Sequence, residues 1–212
     1  MTRTAAGRWA RAGVLLAIVL MAACSKSAGT KTTIPQYHRV TGYDGVVFQR
    51  LFVIGVGEND ERRRLFEDAF AKVLGHDNTY AQASWQSLPQ DRLLTEEEIR
   101  AAIGADELDG VLVTRLMSVD EEEHYVEGRT YRVQRARMFE GYYQGSYKTV
   151  HEPGYYERTT TYRLETNLYA VSDGGLVWSG RSDTVNPDSI EDGISSLTQV
   201  IASKLREEGL IR

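Results

Sequence analysis

The hydrophobic residues of this chain alternate between strand-like and helix-like spacing. Residues 46–56 are rich in β-branched and aromatic residues, and from Leu51 onward nearly every side chain is apolar. This pattern predicts a strand covered on both faces. Asn59 or Asp60 then offers a helix N-cap, and apolar residues recur at helical spacing from Leu65 to Leu74 before Gly75. The pattern predicts a strand, a tight turn and an amphipathic helix, the first half of a βαβ unit.

A second strand and helix follow. Residues 79–85 predict a short strand, and 95–98 form a capping box ahead of a shorter amphipathic helix. Residues 111–117 begin apolar on both faces, so we expect a central strand beside the first one. Trp85 and Trp178 are expected in the core.

The stretch from Tyr125 to Tyr169 holds nine of the twelve tyrosines, two doublets among them, interspersed with glycine. It predicts a long hairpin with an irregular tip. Residues 161–171 alternate as a half-exposed antiparallel strand does, 172–175 form a hairpin turn, and 176–182 are the last strand.

The final helix is predicted from Pro187-Asp188-Ser189 to Gly209, with apolar residues every three or four positions. The order βαβαβ, two or three antiparallel strands and α predicts a single α/β (α+β) layered domain. We expect a mixed sheet of about five to six strands, three helices and a long Tyr-rich β-hairpin.

The N-terminus has the pattern of a signal peptide. Three arginines precede an apolar run at 14–21, which is shorter than the ~20 residues that a membrane-spanning helix needs. The run ends in Met21-Ala22-Ala23, followed by Cys24, the single cysteine of the chain. The alternative is an ordinary secretory signal cleaved after Ala22 or Ala23, with Cys24 uninvolved.

This N-terminal stretch resembles the lipobox of bacterial lipoproteins, although Met21 stands where Leu, Val or Ile is usual. The resemblance implies that Cys24 carries a palmitate-containing lipid and becomes the mature N-terminus. It divides the chain into a signal peptide at 1–23, a lipidated flexible tether at 24–37 and one domain at 38–212, with a protruding hairpin at 125–160. Ser25 implies export to the outer membrane, facing the periplasm, with the inner membrane as the alternative.

The net charge of the domain limits the kinds of partner that it can bind. The chain has 25 basic and 30 acidic residues, and residues 1–23 contain three of the arginines and no acid. An acidic domain is poorly suited to nucleic acid and is repelled by anionic headgroups, so membrane attachment is expected through the lipid alone.

A wider resemblance rests on the lipobox, the VIGV strand before the first helix, the VLVTRL strand, the Tyr/Gly-rich hairpin, the LVWSGRS strand and the closing helix. Together they resemble a family of uncharacterised proteobacterial lipoproteins with a domain of unknown function. The order is more distantly similar to the N-terminal domain of the Tol-system periplasmic protein and to the curli-secretion lipoprotein. The resemblance implies no catalytic residue.

Residues that suggest chemistry are few. Gly55-Val56-Gly57 lacks the third glycine of a dinucleotide fingerprint and is followed by acids, so a tight turn is favoured over phosphate binding. The acidic run 120–124 is expected to be a solvated loop, with adventitious cation binding as the alternative. No nucleophile motif is present, and we expect no cofactor, no metal and no catalytic residue.

The tyrosines give the sharpest functional hypothesis. Tyr142, Tyr143, Tyr147, Tyr155 and Tyr156 form the candidate interaction surface, because tyrosine combines contact area with a hydroxyl at low entropic cost. The alternative is that cross-strand pairs of tyrosines hold the hairpin together.

Two functions follow from these patterns. One is a non-catalytic, periplasm-facing envelope lipoprotein whose domain contacts another envelope protein or itself. The other is a lipoprotein that binds a small ligand or glycan, or, with less support, a cell-wall hydrolase.

Overall fold

The computed structural model describes residues 30–76, 78–89, 95–105, 107–134 and 147–212. Within them the chain forms a six-stranded mixed sheet, a two-stranded sheet and three α-helices, as the sequence predicted. The elements are β1 Lys31–Arg39, β2 Arg50–Val56, α1 Asp60–Leu74, β3 Tyr80–Ala83, α2 Glu96–Ala105, β4 Gly110–Val126, β5 Arg129–Gln134, β6 Tyr147–Glu152, β7 Tyr155–Ala170, β8 Leu176–Val185 and α3 Ile190–Glu207.

The large sheet has the strand order β1-β8-β7-β4-β2-β3. Its β2, β3 and β4 are parallel, because α1 and α2 return the chain to the same edge between successive strands. The other neighbouring strands are antiparallel: β4 with β7, β7 with β8, and β1 with β8, the last strand of the chain. The first predicted strand therefore lies beside the predicted central one, as expected.

The helices begin where their sequences predict. Asn59 caps α1 by accepting a hydrogen bond from the backbone N–H of Arg62 at 2.8 Å. Ahead of α2, the side chain of Glu98 accepts from the N–H of Thr95 at 2.9 Å, which completes the predicted capping box. Ser189 caps α3, and Gly209, with a φ of 70°, follows its end.

The main core lies between one sheet face and the helices α1 and α3. Trp178, Phe70, Leu112, Leu168 and Ile201 are fully buried there. A smaller cluster of Phe52, Leu88 and Leu108 is covered by α2 on the opposite sheet face. Trp85 departs from the core prediction: it is only partly buried, and its Nε1 donates to the exposed Asp68 at 2.7 Å.

The longest pairing in the fold joins β4 to β7, from Gly110 opposite Ala170 to Val126 opposite Tyr155. Its inner half crosses the core, and its outer half extends beyond the helices as a ribbon. A β-bulge between Leu116 and Ser118 leaves Met117 without a partner in the register. Because of the bulge, Val119 continues the face of Leu116, on which α1 and α3 pack.

The acidic run at 120–124 is part of β4 and not the loop that the sequence predicted. Its side chains pair across the strands: Asp120 lies 2.8 Å from Arg163, and Glu123 lies 2.6 Å from Arg158. Opposite charges on neighbouring strands allow a polar segment to remain extended in water.

The start of the domain also differs from the prediction. The tether was expected to reach residue 37, whereas Lys31–Arg39 forms the edge strand β1, paired with β8. An edge strand with one solvent-exposed face needs few apolar residues, and only Thr32, Ile34 and Arg39 are partly buried. The polar composition of residues 31–39 therefore gave no sequence signal for a strand.

Candidate functional site

The ribbon presents several exposed tyrosines. Tyr155 and Tyr156 lie in β7 with 58% and 72% of their surface exposed, and Tyr125 of β4 is half exposed. Tyr147 begins β6 opposite Gln134. Tyr142 and Tyr143 lie outside the described residues. The structure thus places two of the five candidate tyrosines on one exposed segment.

Tyr125 and Tyr156 face each other across the ribbon, with ring centroids 5.0 Å apart and planes tilted by 52°. Gly154 leaves room for this pair, since a Cβ at Gly154 would stand 2.1 Å from the Tyr125 hydroxyl. The alternative function of the tyrosines, cross-strand packing, therefore applies to Tyr156 at least in part. Tyr155 has no ring partner among the described residues.

Beyond residues 127–128 and 153–154, where the strand pairing is interrupted, β5 and β6 continue the ribbon as a separate two-stranded sheet. Glu152 is its main polar link: it accepts from Arg129 Nε at 2.7 Å and from the Tyr131 hydroxyl at 2.9 Å. Both hydrogen bonds hold the pKa of Glu152 below its ordinary value. The ribbon is therefore held together by polar side chains as well as by its ladder.

An apolar cleft lies where α1 and α3 begin. We define the cleft by its large apolar lining residues, which come from α1, β4, β7 and α3: Phe66, Leu116, Tyr162, Leu164, Ile190 and Ile194. Thr184 of β8 and Ser189 are the polar residues of its lining. Its volume is about 360 Å³, and an adjoining hollow of about 430 Å³ extends it past Val56 toward Asn59. Leu116 and Ile190 are 51% and 46% exposed, so the cleft is open to solvent.

The adjoining hollow contains the glycine segment that the sequence singled out. A Cβ at Gly55 would lie 3.2 Å from the Phe66 ring and 3.3 Å from Cγ of Arg63, so this glycine permits the close approach of α1 to β2. The exposed acids Glu58, Asp60 and Glu61 follow it. This geometry is that of a tight strand-to-helix turn.

Glu67 is a fully buried carboxylate directly behind this turn. It accepts from the N–H of Gly55 at 3.0 Å, the hydroxyl of Ser84 at 2.8 Å and the N–H of Trp85 at 3.0 Å. Burial raises the pKa of Glu67, and the three hydrogen bonds oppose that rise. One side chain of α1 thereby holds the end of β2 and the turn after β3 in place.

Elsewhere in the described residues, charged side chains meet in ion pairs, such as Arg163 with Asp120 and Asp183 across neighbouring strands. Among the described residues, no group of three or more His, Cys, Asp and Glu is placed to hold a metal ion. The four histidines lie on different elements or at their ends: His38 on β1, His76 after α1, His124 on β4 and His151 on β6. Within the described ranges, no helix is long and apolar enough to cross a membrane.

Sequence reasoning missed both the cleft and Glu67. The cleft combines residues far apart in sequence, each of which fits an ordinary amphipathic element. Glu67 lies among several charged residues of α1 and has the spacing of an inward-facing position beside Phe66 and Phe70. That spacing was the available signal. Cys24 lies outside the described residues.

Some solved structures are distantly similar to this chain. No protein-family model matches the chain, and no curated protein matches its sequence. The PelC dodecamer from Paraburkholderia phytofirmans is similar, with 11% identity, a TM-score of 0.40, and coverage of 86% of this chain and 99% of that one. Lipoprotein GNA1162 from Neisseria meningitidis has 12% identity, a TM-score of 0.40, and coverage of 75% and 99%. A PDZ domain protein from Parabacteroides distasonis has 10% identity, a TM-score of 0.39, and coverage of 84% and 36%.

Similarities with identities and TM-scores this low carry no argument, so the expected resemblance to lipoproteins stays a prediction. Membership of a particular family stays a prediction, as does the likeness to the Tol-system and curli-secretion proteins. These similarities carry no information on function.

The buried carboxylate predicts a pH dependence. A raised pKa means that folded Glu67 holds its proton over a pH range in which the unfolded chain has released it. The free energy of unfolding should therefore fall as pH rises above the ordinary glutamate value of 4.5. Glu67→Gln should remove this decline and cost about 1–3 kcal/mol at low pH, because the new amide cannot accept from Trp85 N–H if it accepts from Gly55 and Ser84.

Urea denaturation across the pH range tests this. Asp68→Asn is the matched control: Asp68 is exposed and accepts from Trp85 Nε1, so its change should alter stability by less than about 0.5 kcal/mol. An unchanged pH profile in Glu67→Gln would show that Glu67 does not titrate between the two states.

Proposed function

We propose that this protein is a non-catalytic envelope lipoprotein, held at the outer membrane by lipid on Cys24 and facing the periplasm, whose domain binds another envelope protein or a second copy of itself. The observation that carries the proposal is the stretch from Leu20 to Ser25, in which an apolar run and small residues precede the single cysteine. A basic head and a short apolar segment before it are typical of an exported protein.

The fold supports this proposal by its geometry. β1 begins at Lys31, so only residues 25–30 separate Cys24 from the sheet. As a random coil, six residues span roughly 12–15 Å, which keeps the domain close to the leaflet. A ribbon that extends beyond the core then provides a contact element whose side chains contribute little to core packing.

The tyrosines of the ribbon are proposed as the contact surface. Exposed aromatic side chains with a polar surround are typical of protein interfaces. Tyr155 and Tyr156 are more exposed than Tyr37, Tyr80, Tyr125 and Tyr131. Tyr142, Tyr143 and Tyr147 belong to the proposal by their place in the same hairpin.

The alternative, a binder of a small ligand or glycan, draws its support from the cleft. A sugar site or a hydrolytic site requires several convergent polar groups. The walls of the cleft are mainly aliphatic and aromatic, so the cleft favours an apolar occupant over a sugar. We therefore keep the interaction domain as the primary proposal.

The anchor is tested by Cys24→Ser. The substitution removes the thiol that a lipid would occupy, so the variant should take up no radioactive palmitate and should leave the membrane fraction. Wild-type protein should take up label and sediment with the outer membrane. If the Cys24→Ser variant still takes up palmitate, or still sediments with membranes after its signal peptide has been removed, the lipoprotein proposal is wrong.

The contact surface is tested by Tyr155→Ser with Tyr156→Ser in one variant. Truncation of one aromatic anchor at an interface costs about 2 kcal/mol, so capture of the partner after crosslinking in membranes should fall roughly thirtyfold or more. Loss of cross-strand packing costs only ~0.2–1 kcal/mol per pair, so the melting temperature should change by a few degrees at most.

The control pair is Tyr37→Ser with Tyr80→Ser, because both residues are 47% exposed and lie on the edge strands β1 and β3. This pair should leave capture unchanged. Equal capture by wild type and the ribbon variant, measured below its melting temperature, would show that the tyrosines are packing residues only.

A further inference from the structure

The cleft and the start of the described chain lie at the same end of the sheet. Thr32 of β1 is opposite Thr184 of β8, with their hydroxyl oxygens 2.9 Å apart. Thr184 is in turn opposite Tyr162 of β7, which forms part of the cleft. Neighbouring strands lie about 4.8 Å apart, so β1 begins roughly 10 Å from the floor of the cleft.

Thr30 is fixed against the first turns of α3. Its hydroxyl donates to the carboxylate of Asp192, and its carbonyl accepts from the Ser196 hydroxyl at 3.4 Å. Cys24 lies six residues earlier, a distance of at most about 20 Å in an extended chain. This length is sufficient to pass the start of α3, whose side chains Ile190 and Ile194 form one wall of the cleft.

The chemistry of the cleft suits a neutral hydrocarbon chain. Its lining is mainly aliphatic and aromatic, with Thr184 and Ser189 as the polar residues, and contains no charged side chain. The charged side chains Glu58, Arg62 and Arg63 line only the adjoining hollow. An acyl chain carries no charge and therefore matches this lining.

We propose that the cleft binds an acyl chain attached to Cys24 of the same molecule. This inference rests on the proposed lipidation and adds a binding site within the fold. Occupancy would remove the exposed parts of Leu116 and Ile190 from water. The lipidated N-terminus would thereby lie against the domain whenever its acyl chains are not all in the bilayer.

The test uses the full-length lipidated protein with a photo-crosslinking phenylalanine derivative at Leu116, in cells and in detergent-free extract. Leu116 is half exposed, so the replacement should be tolerated, and Ile190 provides a second site. The matched control is Met117, which is 47% exposed and adjacent, but lies with Arg163 and Arg181 on the opposite face. Trypsin cleaves after Lys26, so mass spectrometry can identify an adduct with the lipidated peptide 24–26.

Positions 116 and 190 should give this adduct at least tenfold more often than position 117 in the extract. Mixing nitrogen-15-labelled and unlabelled protein should give no mixed-mass adducts, because the lipid comes from the same molecule. Three results would each overturn the docking. They are adducts with free phospholipid, adducts that join a labelled to an unlabelled molecule, and equal adduct yields at positions 116 and 117. A peptide 24–26 without lipid would overturn the proposed function as well, whereas lipid without the adduct would overturn the docking alone.

Discussion

The pairing of β4 with β7 is the interaction on which the rest of this structure depends. Its inner residues carry the core, with Leu112 opposite Leu168, and Thr114 opposite Thr166 at 3.0 Å between hydroxyl oxygens. Its outer residues extend into the ribbon that carries Tyr125 and Tyr156. Because one hydrogen-bonded ladder spans both parts, the core determines the register in which the ribbon presents its side chains.

The bulge at Met117 determines which side chains share a face. Without it, Ser118 and Asp120 would continue the face of Leu116 and place polar groups beside Tyr162. With it, Val119 continues that face, and Asp120 and Glu123 pair with Arg163 and Arg158. The same irregularity therefore keeps Ser118 and Asp120 off the face on which α1 and α3 pack.

Most of the fold could be predicted because its elements are strongly periodic and their ends are marked. The capping box at Thr95, the Asn59 cap and the glycines after α1 and α3 each lie where the structure uses them. β1 could not be predicted because a polar edge strand has almost no apolar period. The strand through 120–124 was missed because cross-strand ion pairs, which a single sequence does not display, replace apolar burial.

The candidate site was only partly predictable. Exposure of Tyr155 and Tyr156 follows from the hairpin pattern, but the contact between Tyr125 and Tyr156 depends on the register after the bulge. The cleft is lined by residues of several elements that are far apart in sequence, so it is a property of tertiary packing. The role of Glu67 could not be predicted, because it depends on a helix and two strand ends meeting at one carboxylate.

The central claim is that the ribbon is a preformed extension of the core ladder. Hydrogen exchange of the backbone amides in residues 118–126 and 155–163 tests it most directly. Continuous pairing predicts exchange at least a hundredfold slower than in an unstructured chain, in protein without any partner. Exchange at the rate of an unstructured chain would contradict the account, because no fixed register would then present the tyrosines.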